Sequence, residues 1–162
     1  MKNKQESGRS MVEMVGVLAV MGLITAGAFV LISSGLSSQK RGQVADEIDV
    51  IAANARSMSA QATDRAKPYK SLPEYCVRNG SADDTAKGLA EALLGSSISA
   101  YGTGTYYTVC QASAAAKFSV ALIGLADGEC KALAARAYSK GSATCTAKSG
   151  NASAYVTVTF DE

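Results

Sequence analysis

The sequence predicts an α+β chain: a long N-terminal helix whose second half packs on a small antiparallel sheet. Three observations predict it. Residues 14–32 form a continuous run without a charged side chain. Beyond that run, apolar residues recur at alternating steps of four and three. The C-terminal half holds short segments rich in β-branched and aromatic residues, two of which alternate apolar with polar positions.

The first element is the apolar run. At about 1.5 Å of rise per helical residue it spans roughly 28 Å, close to the thickness of a hydrocarbon core. Lys2 and Lys4 precede it, which favours an N-terminus kept in the cytoplasm. A secretory signal segment with small residues for cleavage around Thr25 to Ala28 is the alternative on composition. Glu13 stands at the start of the run. An ionised carboxylate in hydrocarbon costs several kcal/mol unless a partner neutralises it, so an acidic residue at this place asks for a reason. Gly16, Gly22 and Gly27 lie inside the run, where each costs about 1 kcal/mol of helix stability relative to alanine. Local unwinding and close packing against another helix are both compatible with them.

The helix continues through "SSQKRGQ", where Lys40 and Arg41 lie on the side opposite to the positive-inside bias. The stripe Val44, Ile48, Ile51, Ala55, Met58 and Ala62 has helical period. Asp46, Glu47, Asp49, Asn54 and Arg56 occupy the other face. One helix is therefore expected from about Ser10 to about Thr63, stopped before Pro68 and Pro73.

A short helix follows over 82–94, with Leu89, Leu93 and Leu94 on its apolar side. Gly102 and Gly104 lie in a turn-rich stretch that lacks the third glycine and following helix of a phosphate loop. Strands are expected over Thr105–Gln111, Lys117–Gly124 and Ala154–Phe160. Between the last two, "ADGECKALAARAYS" reads as a helix with Asp127 as N-cap and Cys130, Leu133 and Ala137 facing inward. Tyr69, Tyr75, Tyr101 and Tyr106 are candidate exposed contact residues, and Asn151-Ala152-Ser153 fits a glycosylation sequon.

Composition narrows the function. The chain has 162 residues, enough for one domain and an additional segment, and its net charge is only +2. With no long basic run, no direct nucleic-acid partner is expected. Histidine is absent, which removes Ser-His-Asp and Cys-His catalysis, His-ligated metals and the usual neutral-pH base. No enzymatic activity, cofactor or metal site is expected, and no dense Asp/Asn loop near the C-terminus suggests calcium. Cys76, Cys110, Cys130 and Cys145 form no C-x-x-C pair and all follow the membrane-directing run. Such spacing reads as disulfides in an exported domain, with three possible connectivities, against the alternative of four reduced thiols.

The order "MKNKQESG", then Arg9, then Glu13, then the apolar run resembles a type IV prepilin. In that family a short basic leader ends in glycine, a glutamate stands fifth in the mature chain, and a long apolar helix follows. The resemblance implies cleavage by a membrane-embedded prepilin peptidase between Gly8 and Arg9 and N-methylation of Arg9. Arg9 itself departs from the Phe, Met or Leu usual at that position. The leader is shorter than most type IVb leaders, and the proline often found in the family's helix is missing. The segment "FSVALIGLADGECKALAA" carries a second resemblance, to the strand–helix pattern of type IVb pilins, on Phe118, Val120, Leu125, Cys130 and Leu133. There the helix cysteine bonds to one near the C-terminus, which implies Cys130–Cys145 and, with it, Cys76–Cys110.

The resemblance implies a leader over 1–8, a transmembrane and filament-core segment over 9–36, an amphipathic half-helix over 37–66 and a disulfide-bonded head over 67–162. The apolar half of the helix would protrude from the head. The expected function is a structural subunit, held in the bacterial inner membrane, then polymerised by the pilus assembly machinery into an extracellular homopolymer for adhesion or conjugation. Glu13 would set register by pairing with the Arg9 amine of a neighbour. Two rivals use the same features: a type II secretion pseudopilin, and a membrane-tethered or secreted binding domain with an ordinary signal segment.

Overall fold

The computed structural model describes residues 6–112, 116–150 and 152–161, with side chains described from Met11 onward. Lys2, Lys4, Asn151 of the sequon and the side chains of Gly8 and Arg9 lie outside the described residues. The chain divides into two compact units at Gln39/Lys40.

Helix α1 spans Glu6–Ser59. Its end is four residues earlier than the sequence suggests. Tight turn bonds, Gln61 N–H to Met58 O and Ala62 N–H to Ser59 O, replace the helical pattern before either proline is reached. In the unit from Lys40 onward, Val44, Ala45, Ile48, Ile51, Ala52 and Ala55 of α1 are buried. The stripe is thus rotated from the expected one: Met58 is 43% exposed, and Ala45 and Ala52 take part instead.

Strands β1 (Val77–Arg78) and β2 (Ser81–Ala82) form a minimal hairpin. Helix α2 (Asp84–Leu94) is capped by Asp83, whose carboxylate accepts from the N–H groups of Thr85 and Ala86. It closes on Gly95 at φ 85°, a left-handed C-cap suited to glycine. Ala86 and Ala90 are its fully buried residues; Leu89, Leu93 and Leu94 are only partly covered.

The main sheet has the order β3-β4-β6-β5, all antiparallel, from β3 (Tyr106–Gln111), β4 (Phe118–Leu125), β5 (Gly141–Thr146) and β6 (Ala154–Phe160). β6 alternates as expected, with Val156, Val158 and Phe160 buried. β4 does not: nearly every residue of this central strand is buried. On one face it meets the core under α1, and on the other Ala121 packs with Cys76 and Cys110. At the β4 end the register shifts through Gly124, whose φ of 94° and close approach to Gly104 O leave no room for a Cβ.

Helix α3 (Asp127–Ala134) is shorter than the sequence suggests. Ala126, not Asp127, is its N-cap and makes no side-chain cap bond. The Asp127 carboxylate instead accepts from Lys148 N–H at 3.0 Å. Cys130 and Leu133 are buried as expected, but Ala137 falls beyond the helix and is exposed. Tyr69 is a core residue, 1% exposed, its ring tilted against Phe118 with centroids 4.8 Å apart, so it is no surface contact. Tyr75 is half exposed, and Tyr101 and Tyr106 are intermediate.

Candidate assembly segment and its attachment to the head

The apolar part of α1 is exposed around its whole circumference. From Met11 to Leu36 every large apolar side chain is open, with Phe29 at 80% and Leu23 at 76%. By length and composition this segment is able to cross a membrane. Fully burying one Val, Leu, Ile, Phe or Met side chain is worth about 1.5–3 kcal/mol. Across this segment, cover by lipid or by other chains is the dominant free-energy term available to the molecule.

The hydroxyls in the segment are compatible with such cover. Thr25 donates to Met21 O at 2.8 Å, Ser33 to Val30 O at 2.9 Å and Ser34 to Leu31 O at 3.0 Å. Each of these three hydroxyls is thereby satisfied by its own helix, so its transfer into hydrocarbon costs little. At Gly16, Gly22, Gly27 and Gly35 an added Cβ would meet nothing within 4 Å among the described residues. The helix is a smooth apolar rod with shallow notches. Gly8, Arg9 and Glu13 all lie within α1, so one continuous helix carries the three motif positions.

Beyond the rod, a polar clamp fixes the second half of α1. Arg41 makes a two-pronged ion pair with Glu129 in the first turn of α3, Nε to Oε2 at 2.7 Å and a terminal nitrogen to Oε1 at 2.8 Å. Tyr101 donates its hydroxyl to the same carboxylate at 2.8 Å. The Arg41 guanidinium holds the Glu129 carboxyl below the usual carboxylate range, and Tyr101 adds to this. Burial, then the bond to Glu129, pushes the Tyr101 phenol up. Arg41 is therefore committed to α3. Its charge, which seemed to oppose the positive-inside bias, is compensated within the head.

Three further residues of α1 reinforce this attachment. Tyr107 on β3 donates to Glu47, and burial followed by this bond raises its phenol strongly. Arg56, in the last turn of α1, lies 5.2 Å from the Phe160 ring centroid and donates to Ser139 O at 3.3 Å. On the α2 side Asn54 donates to Leu93 O at 2.7 Å. The sequence reading placed Glu47, Asn54 and Arg56 on the face opposite the apolar stripe. Their partners are 39 to 83 residues away in the chain, and no local spacing signals such pairs.

Two disulfides complete the head. Cys130 of α3 is bonded to Cys145 of β5, with Cα atoms 5.5 Å apart. Cys76, just before β1, is bonded to Cys110 of β3, with Cα atoms 5.0 Å apart. The first ties α3 to an edge strand, and the second holds the hairpin segment against the sheet face away from α1. Among the described residues no group of three or more acidic or cysteine side chains is arranged to hold a metal ion. Comparison of the chain with protein-family models, with curated proteins and with solved structures found no match.

Proposed function

We propose that the chain is a structural subunit of a type IV pilus of the type IVb kind, made as a prepilin and polymerised into an extracellular filament for adhesion or conjugation. The observation that carries this reading is the apolar rod Met11–Leu36, open on all sides and contiguous in sequence with a disulfide-bonded α+β head. Prepilin peptidase cleaves between Gly8 and Arg9 and methylates the Arg9 amine. The inner membrane covers the rod until assembly, and the rods of neighbouring subunits cover it afterwards. Hydrophobic burial then supplies most of the filament's cohesion.

Glu13 sets the register. The free amine at Arg9 has an ordinary pKa of about 7.7–8 and is largely cationic at neutral pH. Paired with Glu13 of a neighbour, it neutralises that carboxylate in the filament core. A subunit docked out of register leaves a carboxylate in hydrocarbon without that amine, which breaking a buried pair makes strongly unfavourable. Electron microscopy of sheared surface filaments tests the reading. Filaments composed of this chain are expected, and Glu13→Ala is expected to abolish or shorten them. Exported chain that never forms filaments would overturn the assignment.

A further inference from the structure

Asn79-Gly80 is the one asparagine–glycine pair in the chain. It forms the two-residue loop between β1 and β2, with Val77 paired to Ala82 and Arg78 to Ser81. Asn79 has φ 53° and Gly80 has φ 79°. Positive φ at both central residues makes this a type I′ turn, for which Asn-Gly is the preferred pair. Gly80 is fixed a second time by packing, because a Cβ there would stand 2.6 Å from the Ala152 Cβ. Asn79 is exposed, and its side-chain amide makes no hydrogen bond among the described residues.

The same pair is chemically the least durable in a polypeptide. The backbone nitrogen that follows an asparagine can attack the side-chain carbonyl and close a five-membered ring. Glycine hinders that attack least, having no side chain. Ring closure needs the Gly80 nitrogen on the same side of the Cα–C bond as the Asn79 Cβ. In the left-handed region ψ is about +47°, which turns that nitrogen almost opposite to Cβ. The folded turn therefore holds the reacting atoms apart, and the reaction waits for the hairpin to open. The hairpin has little to keep it closed. Its strands have two residues each and pair with no other strand. A hairpin of this kind is marginal by itself. Asp83 N–H donating to Cys76 O, the Gly80 contact with Ala152 and the Cys76–Cys110 disulfide hold it in place.

We propose that Asn79 is a self-modification site gated by the β1–β2 hairpin, a one-way record of its opening. Gly80 N bonds to Asn79 Cγ, the Cγ–Nδ2 bond breaks, and the leaving NH2 takes the Gly80 amide proton and departs as ammonia. Water then splits the ring. Addition at Cγ gives aspartate. Addition at the main-chain carbonyl carbon of Asn79 gives isoaspartate, whose backbone runs through Cγ and is one methylene longer. No oxidant or reductant is involved, and loss of ammonia makes the change irreversible. Aspartate still suits a left-handed position. The longer isoaspartyl link does not suit a two-residue loop that sets strand register, so β1 and β2 no longer pair as before. The site holds whether or not the chain polymerises.

Peptide mass mapping of the detergent-solubilised full chain, aged in mildly alkaline buffer, tests this. In urea-unfolded chain Asn79 should convert first among the asparagines, with the mass shift of amide to acid and an isoaspartyl fraction. In folded chain it should convert about tenfold more slowly or less. Asn79→Gly keeps a residue suited to the turn and should abolish the shift. Ile48→Ala removes a buried side chain and weakens the head as a whole, yet should leave the folded-state rate unchanged. Isoaspartyl chain should exchange amide hydrogens faster over 77–82. Equal rates in folded and unfolded chain would overturn the gate, and a rate that rises with Ile48→Ala would move it from the hairpin to global unfolding. Asn79 left intact in unfolded chain would overturn the site.

Discussion

The two halves of α1 share a secondary structure and differ in what covers them. Residues 44–55 bury one side, with Val44, Ile48, Ile51, Ala52 and Ala55 inaccessible to solvent. Residues 11–36 bury none of their large apolar side chains within the chain. The difference is one of pattern, not of helix propensity. A stripe with a 3–4 period fits a single surface of the same chain. Apolar residues on all sides fit no single surface and suit an environment that surrounds the helix. The first pattern encodes a fold, and the second encodes an environment or an assembly.

Paired substitutions sharpen this contrast. Ile48→Ala removes a fully buried side chain and should destabilise the head by about 2–5 kcal/mol in thermal or denaturant unfolding. Leu23→Ala, a similar truncation in the rod, should leave head unfolding unchanged. Equal effects at both sites would erase the distinction. Next in size are the disulfides. Replacing Cys130 and Cys145 together by serine opens a loop with a sequence separation of 15. Chain-entropy arguments put its loss at about 3 kcal/mol, read as a lower head melting temperature under non-reducing conditions.

The clamp gives the smallest effect and a sign that can be checked. Glu129 is more acidic in the folded head than in the unfolded chain, because Arg41 and Tyr101 bind its charged form. Its contribution to stability is therefore fully present above the unfolded pKa and is lost as pH falls through the lower folded one. Glu129→Gln should destabilise the head modestly at neutral pH. Below about pH 4, near the unfolded carboxylate value, its melting temperature should converge on wild type. A constant gap at every pH would show that the clamp works through packing alone.

These contrasts also show what was legible in sequence. The long helix, its apolar run, the strands β3, β4 and β6 and the presence of α2 follow from local pattern. Strand β5 does not. "GSATCT" is small and polar and looks like a loop, and it is a strand only because β6 lies beside it. Its first residue is glycine because Phe160 and Val158 fill the space a Cβ would need. Tyr69 was misplaced for a related reason: its loop is polar, yet its ring is taken up by Phe118. The clamp of Arg41, Tyr101 and Glu129 joins three separate segments and has no sequence signature. Position, not composition, made these residues what they are.

The central claim is that the apolar rod is retained and begins with a newly made amine. Intact mass and N-terminal sequence of the exported protein test it most directly. The account predicts a chain that starts at Arg9, carries one methyl group on its N-terminus and keeps both disulfides. A chain starting near Ala28, with the rod removed, would contradict it.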